Sequence, residues 1–406
     1  MQLKTSVSVP ASKSISNRLL ILQKTSGISF TINNLSIAED TKLLSDLLNC
    51  VETATSAPVY LNCENCGTAY RFLTAYLACK SGKWVLDGNE RMRCRPIKPL
   101  VDTLIEAGAD ISYLGEAGFP PLQICGKKLT AKHWKIDAQQ SSQYVSAVAM
   151  ILPLMRKNSE IVFSANGNSL QYIDMTLQLM QNLGFDIVRN QQVISYFHRE
   201  TAEKNIDFLV EQDWSAAAVW FELAALIPSG TIFIEGLQKS KLQADSMIAD
   251  WVKVFGVETV YGEKGVLLKK TPHAKIPDSF TADCKNNLDL VPYMAALCAV
   301  LGVKGTLQHI ENLTLKESNR LEVLQIELSK IACVSIENNS LIIEPKNEEI
   351  PHYVHFSSHG DHRIAMCLAV LSACIPKVEI DDMECVKKSY PEFVLPHFSD
   401  IFSSHF

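Results

Sequence analysis

The chain has 406 residues, more than one hydrophobic core usually serves, so two or more domains are expected. Its 47% hydrophobic and 20% charged residues fit a soluble globular protein, and a net charge of −6 argues against a general nucleic-acid-binding protein. No apolar run could span a bilayer, the N-terminus lacks an apolar signal core, and twelve cysteines are scattered, which together predict a cytoplasmic protein without nucleic-acid or membrane partners.

The first predicted helix begins in a stretch of small residues and hydroxyls at residues 10–22. A helix start leaves backbone N–H groups unpaired and carries the positive end of the helix dipole, so it can bind an anion. Lys13 and Arg18 would add full positive charges there. The stretch therefore predicts a phosphate or carboxylate site. The alternative is a solvated helix cap with two surface cations.

A unit of turn, short strand, polar turn and helix start recurs six times along the chain. Five of the six copies share a period of roughly 70–77 residues, and the first copy is shortened between residues 40 and 65. The predicted strands begin near Ile28, Lys83, Glu160, Thr231, Thr306 and Lys377. A helix that ends before a strand recurs in phase, at Gly108, Gly184, Gly256 and Ala332. Such units must pack on one another, and two globular groups of three are expected.

Six segments are apolar enough to be buried helices, and each follows a polar cluster. They are residues 18–22, 69–78, 143–155, 214–227, 290–300 and 363–371. Because the N-terminal ends of buried helices need hydrogen-bonding partners, the six polar clusters are candidate ligand sites.

Cations concentrate at these helix starts and on flanking loops, which suits a ligand with two anionic groups. They are Lys13, Arg18, Arg91, Arg93, Arg95, Lys316, Arg320, Arg363, Lys387 and Lys388. For any one of them, a surface position is the alternative. The acid–base candidates are Asp289, Glu317 and His362, although Asp289 and Asp361 could instead be helix caps.

Several common chemistries have no motif here. The chain has no GxxxxGK[ST] loop, no GxGxxG, no HExxH and no GxSxG. Cys63 and Cys66 form a lone CxxC, which predicts buried small residues rather than zinc ligands.

Nine segments in register resemble the 5-enolpyruvylshikimate-3-phosphate synthase family of enolpyruvyl transferases. They are SKSISNR at 12–18, NCGTAYR at 65–71, RMRCRP at 91–96, SSQ at 141–143, SLQYIDMTL at 169–177, Asp289, KESNRL at 316–321, DHRIAM at 361–366 and KSYP at 388–391. The resemblance covers essentially the whole chain.

The resemblance implies an α/β fold of two similar domains. Each has three βαβαββ-type units around buried parallel helices, an inside-out α/β barrel. The implied domains are residues 1–12 plus 213–406 and residues 13–212, with hinges near 12 and 213 and the active site in the cleft. The implied reaction transfers the enolpyruvyl group of phosphoenolpyruvate to the 5-hydroxyl of shikimate-3-phosphate and releases phosphate. Enzymes of the family are the target of glyphosate. It is a step of chorismate and aromatic amino acid biosynthesis.

The resemblance also implies substrate contacts. Shikimate-3-phosphate would contact Lys13, Ser14, Arg18, Ser141, Ser142, Gln143, Ser169, Tyr172, Asp289, Asn312 and Lys316. Phosphoenolpyruvate would contact Lys13, Gly67, Arg95, Gln143, Arg320, Arg363 and Lys388.

The chemistry is addition–elimination through a tetrahedral intermediate, with domain closure, and needs an acid and a base. Asp289 is the expected base toward the 5-hydroxyl, shared with Lys316. Glu317, with Lys13, is expected on the methylene and phosphate side, and His362 would hydrogen-bond Glu317 or the leaving group. No metal or organic cofactor is expected, and the protein is expected to be a monomer.

The chain departs from the family pattern at several positions: Ala11, Cys66, Tyr70, Phe72, Leu170, Gln171, Asn319 and the shortened segment 40–65. None removes an implied ligand contact, but they bear on substrate affinity and on glyphosate sensitivity.

Two other functions compete with this one. The sister transferase acting on UDP-N-acetylglucosamine has a catalytic cysteine and an asparagine where this chain has Glu90 and Ser14. A non-catalytic anion-binding or scaffold protein would keep the fold without turnover, but the retained cations and carboxylates argue against it.

Overall fold

The computed structural model describes residues 3–55, 57–164, 170–199 and 206–394. Within them the strands are β1 (Leu3–Ser8), β2 (Phe30–Asn33), β3 (Val59–Asn62), β4 (Gly82–Asp87), β5 (Asp110–Tyr113), β6 (Leu122–Gly126), β7 (His133–Asp137), β8 (Ser159–Ser164), β9 (Asp186–Asn190), β10 (Val193–Phe197), β11 (Ile206–Leu209), β12 (Gly230–Glu235), β13 (Val257–Gly262), β14 (Gly265–Lys270), β15 (Ser279–Asp283), β16 (Lys304–Gln308), β17 (Cys333–Glu337), β18 (Ser340–Glu344), β19 (Tyr353–Phe356) and β20 (Lys377–Ile380).

The α-helices are α1 (Lys13–Thr25), α2 (Glu39–Thr53), α3 (Gly67–Cys79), α4 (Glu90–Arg93), α5 (Lys98–Glu106), α6 (Gln143–Met155), α7 (Gln171–Asn182), α8 (Trp214–Leu226), α9 (Ile248–Trp251), α10 (Val291–Leu301), α11 (Arg320–Leu328) and α12 (His362–Ala369). Short 3₁₀ helices lie at Ala244–Met247, Val252–Phe255, Leu288–Leu290, Glu311–Leu315, Val370–Ala373, Glu384–Lys388 and Pro391–Val394.

The strands form six sheets in the described residues, one for each predicted repeat. Four sheets have four strands, in the orders β1-β12-β14-β13, β3-β4-β6-β5, β7-β8-β10-β9 and β15-β16-β18-β17. In each of them the first pair is parallel and the other pairs are antiparallel. The other two sheets are the parallel pairs β11-β2 and β19-β20. The α/β class and the sixfold pattern are confirmed.

The described chain divides into two compact units. The first unit comprises residues 3–12, 37–39 and 211–394, and the second unit comprises residues 13–36 and 40–210. Two sheets pair strands that are far apart in the sequence. β1 pairs with β12, with Leu3 opposite Gly230, and β2 pairs with β11, with Phe30 opposite Ile206. Each unit therefore includes a strand from a distant part of the chain.

Each unit is built on three buried helices, and these are the six predicted from the sequence. The second unit packs α1, α3 and α6 against one another, and the first unit packs α8, α10 and α12. Every residue of α8 except Ser215 is buried, as its almost wholly apolar sequence predicts. The N-termini of these helices hold the polar clusters identified in the sequence.

Two further features of the described chain bear on its environment. None of its helices combines the length and the apolar character that crossing a membrane requires. All twelve cysteines are free thiols, and Cys63 and Cys66 are buried as predicted.

Candidate active site

In the second unit, Lys13 is the first residue of α1, and its ammonium lies at the start of that helix. Its Nζ donates to Asp40 Oδ2 at 2.9 Å, and the lysine side chain is only 14% exposed. Ser14 follows in the same turn and is half-buried. The structure therefore places a nearly buried, carboxylate-paired lysine at this helix start rather than a surface cation.

Arg18, one turn further along α1, is 1% exposed, so the surface alternative is wrong for it too. Its guanidinium donates to Thr176 Oγ1 at 2.7 Å, to the Ser14 carbonyl at 2.9 Å and to the Tyr172 carbonyl at 3.3 Å. The rings of Phe72 and Tyr172 lie 5.4 and 5.5 Å from its Cζ. Burial lowers the pKa of Arg18 to about 10, which leaves it charged at neutral pH. It ties α1 to α7 through these bonds.

Gly67 is where the second unit gathers two more guanidinium groups. A Cβ on Gly67 would lie 2.6 Å from Arg71 Nη1 and 2.7 Å from Arg95 Cζ, so only glycine leaves them room. Both arginines are buried, and Arg95 also donates to the Asn65 carbonyl at 3.3 Å. The amide of Gln143 accepts from Arg71 Nη1 at 3.0 Å. Gly67, Arg95 and Gln143, separate in sequence, are thus brought together.

The hydroxyl run before α6 is half-buried or buried at the helix start. Ser142 occupies the N-cap position, and Ser141 Oγ accepts from the Gln143 N–H at 3.2 Å. Tyr172 is half-buried near the start of α7. Ser169, the remaining predicted contact of this group, lies outside the described residues.

In the first unit, Asp289 is surrounded by three cations, two from residues 316–320 and one from the start of α12. Its carboxylate accepts from Lys316 Nζ at 3.2 Å, from Arg320 Nη1 at 2.8 Å and from Arg363 Nη2 at 2.9 Å. The N-cap position of α10 holds Leu290 instead, so the cap alternative for Asp289 does not describe its main contacts. Burial alone would raise the pKa of Asp289, but the charges of Arg363, Lys316 and Arg320 hold it well below its usual range.

Arg320 links three carboxylates in this cluster. Besides Asp289 it donates to Glu317 Oε2 at 2.8 Å and to Asp361 Oδ2 at 2.7 Å, and its side chain is 1% exposed. Burial favours the neutral form, yet the charges of Asp361, Glu317 and Asp289 raise the pKa of Arg320 above its usual value. Asp361 is also the N-cap of α12, accepting from the Arg363 N–H at 3.0 Å, so its predicted cap role is confirmed.

The remaining predicted residues of the first unit lie on α12 or on elements that pack against α11 and α12. His362 is 1% exposed, and its Nδ1 is 3.8 Å from Asp361 Oδ1. Lys388 ends a 3₁₀ turn, Glu384–Lys388, that packs against α12, and it is half-buried. Asn312 is half-buried in the 3₁₀ helix that packs on α11.

The structure adds site residues that sequence reasoning did not single out. Asp40 pairs with Lys13, and Arg71 with Gln143. Asp245 is buried beside the first-unit cluster and accepts from the Ser215 hydroxyl. Burial and the charge of Asp289 raise the pKa of Asp245 to about 6, while Arg363 acts in the opposite direction. Arg71 lies within the segment NCGTAYR, and the two aspartates end the first and fourth copies of the recurring unit, but no local signal predicted the partners of these residues.

Comparisons with known proteins show the family to which the chain belongs. The model of the EPSP synthase (3-phosphoshikimate 1-carboxyvinyltransferase) family matches residues 49–395. A 3-phosphoshikimate 1-carboxyvinyltransferase of Bacteroides fragilis strain YCH46 is 34% identical over 399 residues, covering 97% of this chain and 94% of the relative. One from Idiomarina loihiensis is 30% identical over 414 residues, covering 95% and 94%.

The fold has a match among solved structures. An EPSP synthase from Acinetobacter baumannii superposes with a TM-score of 0.73 at 19% identity, covering 99% of this chain and 96% of that one. The match over most of the sequence, two relatives at 30% identity or more and this common two-domain inside-out α/β fold lead to one conclusion: the chain belongs to the EPSP synthase family.

Proposed function

We propose that residues of both units carry out the reaction of this family. The enolpyruvyl group of phosphoenolpyruvate is transferred to the 5-hydroxyl of shikimate-3-phosphate, and phosphate is released. The reaction is a step in the biosynthesis of chorismate and the aromatic amino acids. The observation that carries the assignment of roles is the carboxylate of Asp289 held by Lys316, Arg320 and Arg363.

Both substrates are strongly anionic and repel each other, so a site that holds them must supply fixed positive charge. We assign phosphoenolpyruvate to the cations whose guanidinium and ammonium groups are already gathered, in the second unit around Gly67 and in the first unit around Asp289. Its contacts are Lys13, Gly67, Arg95, Gln143, Arg320, Arg363 and Lys388. Planar guanidinium groups suit its carboxylate and phosphate because each can donate two parallel hydrogen bonds.

Shikimate-3-phosphate is assigned to the hydroxyl and amide groups at the starts of α1 and α6 and to the Asp289 cluster. Its contacts are Lys13, Ser14, Arg18, Ser141, Ser142, Gln143, Ser169, Tyr172, Asp289, Asn312 and Lys316. Arg18 makes three hydrogen bonds within the protein. We therefore assign it two roles, to hold the start of α1 in place and to add positive charge to the site.

Asp289 is the proposed base toward the 5-hydroxyl, and its three cations explain how its basicity is controlled. A carboxylate held far below its usual pKa is a weak proton acceptor. When an anionic substrate draws Arg320 and Arg363 toward itself, the positive charge beside Asp289 falls and the pKa of Asp289 rises. Substrate binding thus prepares the base.

We propose that Glu317 and Lys13 act on the methylene and phosphate side, and that His362 hydrogen-bonds Glu317 or the leaving group. Glu317 is fixed by Arg320 at 2.8 Å, and His362 precedes Arg363 at the start of α12. Lys316 shares the proton of the 5-hydroxyl with Asp289, since its Nζ is 3.2 Å from that carboxylate. The residues themselves supply the acid and the base of the addition–elimination.

We also propose that the enzyme works as a cytoplasmic monomer. Twelve free thiols fit a reducing compartment, and no heptad pattern in the sequence favours assembly.

The proposed activity is tested by phosphate release from phosphoenolpyruvate with and without shikimate-3-phosphate. Release that depends on shikimate-3-phosphate is expected. In a parallel arm, UDP-N-acetylglucosamine replaces shikimate-3-phosphate. Turnover only in that arm would assign the chain to the sister reaction, and no release in either arm would favour an anion-binding protein without turnover.

A further inference from the structure

A buried carboxylate in the last turn of α11 contacts the loop that leads into α12. Glu327 is 2% exposed, and the proposed reaction gives it no task. Its Oε2 accepts from the Ser357 N–H at 2.9 Å, and its Oε1 lies 3.1 Å from His359 Nε2. The ammonium of Lys330 is 2.6 Å from the same carboxylate. Burial alone would raise the pKa of Glu327, but the hydrogen bonds from these three residues lower it, so the side chain is ionised at neutral pH.

A second carboxylate holds the same loop, residues 357–361. Asp381 follows β20, and it accepts from the Ser358 N–H at 2.9 Å and from the Ser357 hydroxyl at 2.5 Å. Burial raises the pKa of Asp381, but the hydrogen bonds that it accepts outweigh burial and lower the pKa to about 2. Two ionised carboxylates from different elements therefore fix the first three residues of the 357–361 loop.

The backbone of this loop is strained and needs such support. His359 and Gly360 both lie in the left-handed region, with φ of 51° and 65°. A non-glycine residue keeps such a conformation only where the surrounding contacts over-determine it. Glu327 and Asp381 supply those contacts, on the imidazole of His359 and on the two backbone N–H groups that precede it.

α11 contacts the loop at two places along one face. Arg320 at its start pairs with Asp361, the last residue of the loop, at 2.7 Å. Glu327 follows Arg320 by seven residues, which is two helical turns, so both side chains leave the helix on the same side. Asp361 is also the N-cap of α12 and accepts from the Arg363 N–H at 3.0 Å. The start of α12, where Arg363 donates to Asp289, is therefore tied to both ends of α11.

Stability alone does not account for a buried, ionised Glu327. Well-packed apolar residues often replace a buried ion pair without loss of stability. An acceptor that holds a backbone N–H and an imidazole at fixed places, in contrast, sets the geometry of the loop as well as its energy.

We propose that Glu327, together with Asp381, is a positioning residue that fixes the 357–361 loop and through it the places of Asp361 and Arg363. The inference rests on the role of Arg363 in the proposed function. Glu327 and Asp381 have no assigned contact with either substrate. They act through the start of α12, so their effect falls on the affinity for phosphoenolpyruvate rather than on that for shikimate-3-phosphate.

The test measures kcat and both KM values for Glu327→Leu, Glu327→Gln and Asp381→Ala, with thermal melting of each variant. Glu327→Leu and Asp381→Ala are expected to raise the KM for phosphoenolpyruvate about tenfold, the change that 1.4 kcal/mol produces. The KM for shikimate-3-phosphate should stay within about twofold. Glu327→Gln should raise the KM for phosphoenolpyruvate less than Glu327→Leu does, since its amide oxygen still accepts from the Ser357 N–H.

Lys270→Met is the matched control for a loss of stability elsewhere in the first unit. Lys270 is 7% exposed, and its ammonium donates to the carbonyls of Ala225 and Phe255, both at 2.7 Å. The variant is expected to lower the melting temperature and to change neither KM. If Glu327→Leu does not fold, Asp381→Ala decides, because Asp381 is exposed. A KM for phosphoenolpyruvate that is unchanged in the folded variants among these two, or an equal rise in both KM values, would overturn the inference.

Amide hydrogen exchange of residues 357–363 gives a second readout, which needs no turnover. Glu327→Leu and Asp381→Ala are expected to lose protection there, and Lys270→Met is expected to keep it. Unchanged protection in both loop variants would contradict the proposed hold on the loop.

Arg363→Ala separates this inference from the proposed function. If it leaves the KM for phosphoenolpyruvate unchanged, the role of Arg363 is wrong and the inference is wrong with it. If it raises that KM while Glu327→Leu and Asp381→Ala do not, only the inference is wrong. Absence of phosphate release in the unaltered enzyme would contradict the function itself, and hydrogen exchange would then still decide whether Glu327 holds the loop.

Discussion

At the scale of single residues, the candidate site contains charges that are neutralised within the protein before any substrate is present. Asp289 has three cations, Lys13 has Asp40, and Arg320 has three carboxylates. Such pairs hold the side chains in place, because removing one partner leaves the other buried and uncompensated. In the mechanism that we propose, substrate anions take the place of these internal carboxylates.

Replacing Asp289 with asparagine should remove the base while keeping the shape of the side chain. We expect kcat to fall by roughly 10²–10⁴, the range typical of lost general-base catalysis, with a smaller change in the KM for shikimate-3-phosphate. Steady-state kinetics of phosphate release measures both. The control is Glu322→Gln, an exposed carboxylate in the first turn of α11. An equal loss of kcat and of affinity would indicate a purely structural role.

Gly67→Ala should disturb the guanidinium groups that the second unit gathers. The new methyl would overlap Arg71 and Arg95 at 2.6–2.7 Å, so both side chains must move. The KM for phosphoenolpyruvate is expected to rise roughly tenfold, as for a loss of about 1.4 kcal/mol. Gly115→Ala is the matched control, since its nearest neighbour would be Pro121 at an ordinary 3.5 Å. Identical kinetics for the two variants would contradict the assignment of Arg95.

At the scale of the element, the feature that the repeats share is a buried helix whose first turn holds a polar cluster. Sequence reasoning located all six such helices, because an apolar run after a polar cluster is a local signal that short segments carry. Asn319 illustrates a departure without consequence for its helix: its amide oxygen accepts from the Glu322 N–H at 3.5 Å, the task an aspartate would perform at the start of α11.

Pairing between distant segments was beyond local reasoning. Asp40 contacts Lys13, and Asp245 lies near Asp289, because distant helices and loops pack together. The residues around either aspartate do not predict these contacts. For Asp289, the local sequence pattern points to a different role from the one that its contacts show. Its position before an apolar helix is typical of a cap, yet its three cations come from segments that only the fold brings together.

Two N-caps provide an element-scale prediction because Asp361 also binds a buried cation. Asn89 caps α4 by accepting from the Met92 N–H at 3.0 Å, whereas Asp361 caps α12 and also pairs with Arg320. Asn89→Ala should cost about 1 kcal/mol of stability, the usual value of a cap. Asp361→Ala should cost about 3–5 kcal/mol, because Arg320 loses a buried partner. Urea unfolding compares them, and equal losses would mean that the ion pair adds nothing.

At the scale of the whole molecule, the candidate site is rich in cations although the net charge of the chain is −6. The acidic majority is spread over the surface, while the site cations are mostly buried at helix starts. Stability must therefore respond to the ionisation of the few buried carboxyls near those cations, and Asp245 is the clearest case.

The pH dependence of protein stability should show the effect of ionising Asp245. Its pKa is raised from 3.8 to about 6 in the folded protein, so the folded state favours the protonated form. The contribution of Asp245 to stability should therefore fall as the pH rises from about 4 to about 6, and its full penalty should persist above that range. Asp245→Asn should be more stable than the unaltered protein at pH 7.5, by on the order of 3 kcal/mol, and equally stable near pH 3.5.

Urea unfolding at the two pH values measures this difference. Asp250→Asn serves as the control, since that carboxylate is 61% exposed beside Lys253. It is expected to change stability little at either pH. A stabilisation by Asp245→Asn that is the same at both pH values would show that ionisation of Asp245 is not its cause.

The exchange of β1 into a sheet with β12 has a consequence for biosynthesis. Leu3 is made well before its partner Gly230, which follows only after the entire second unit has been made. At about 5–20 residues per second, β1 waits on the order of 10–45 s without its neighbour. During translation the second unit can complete its core first, while the first unit cannot pair β1 until β12 has been made.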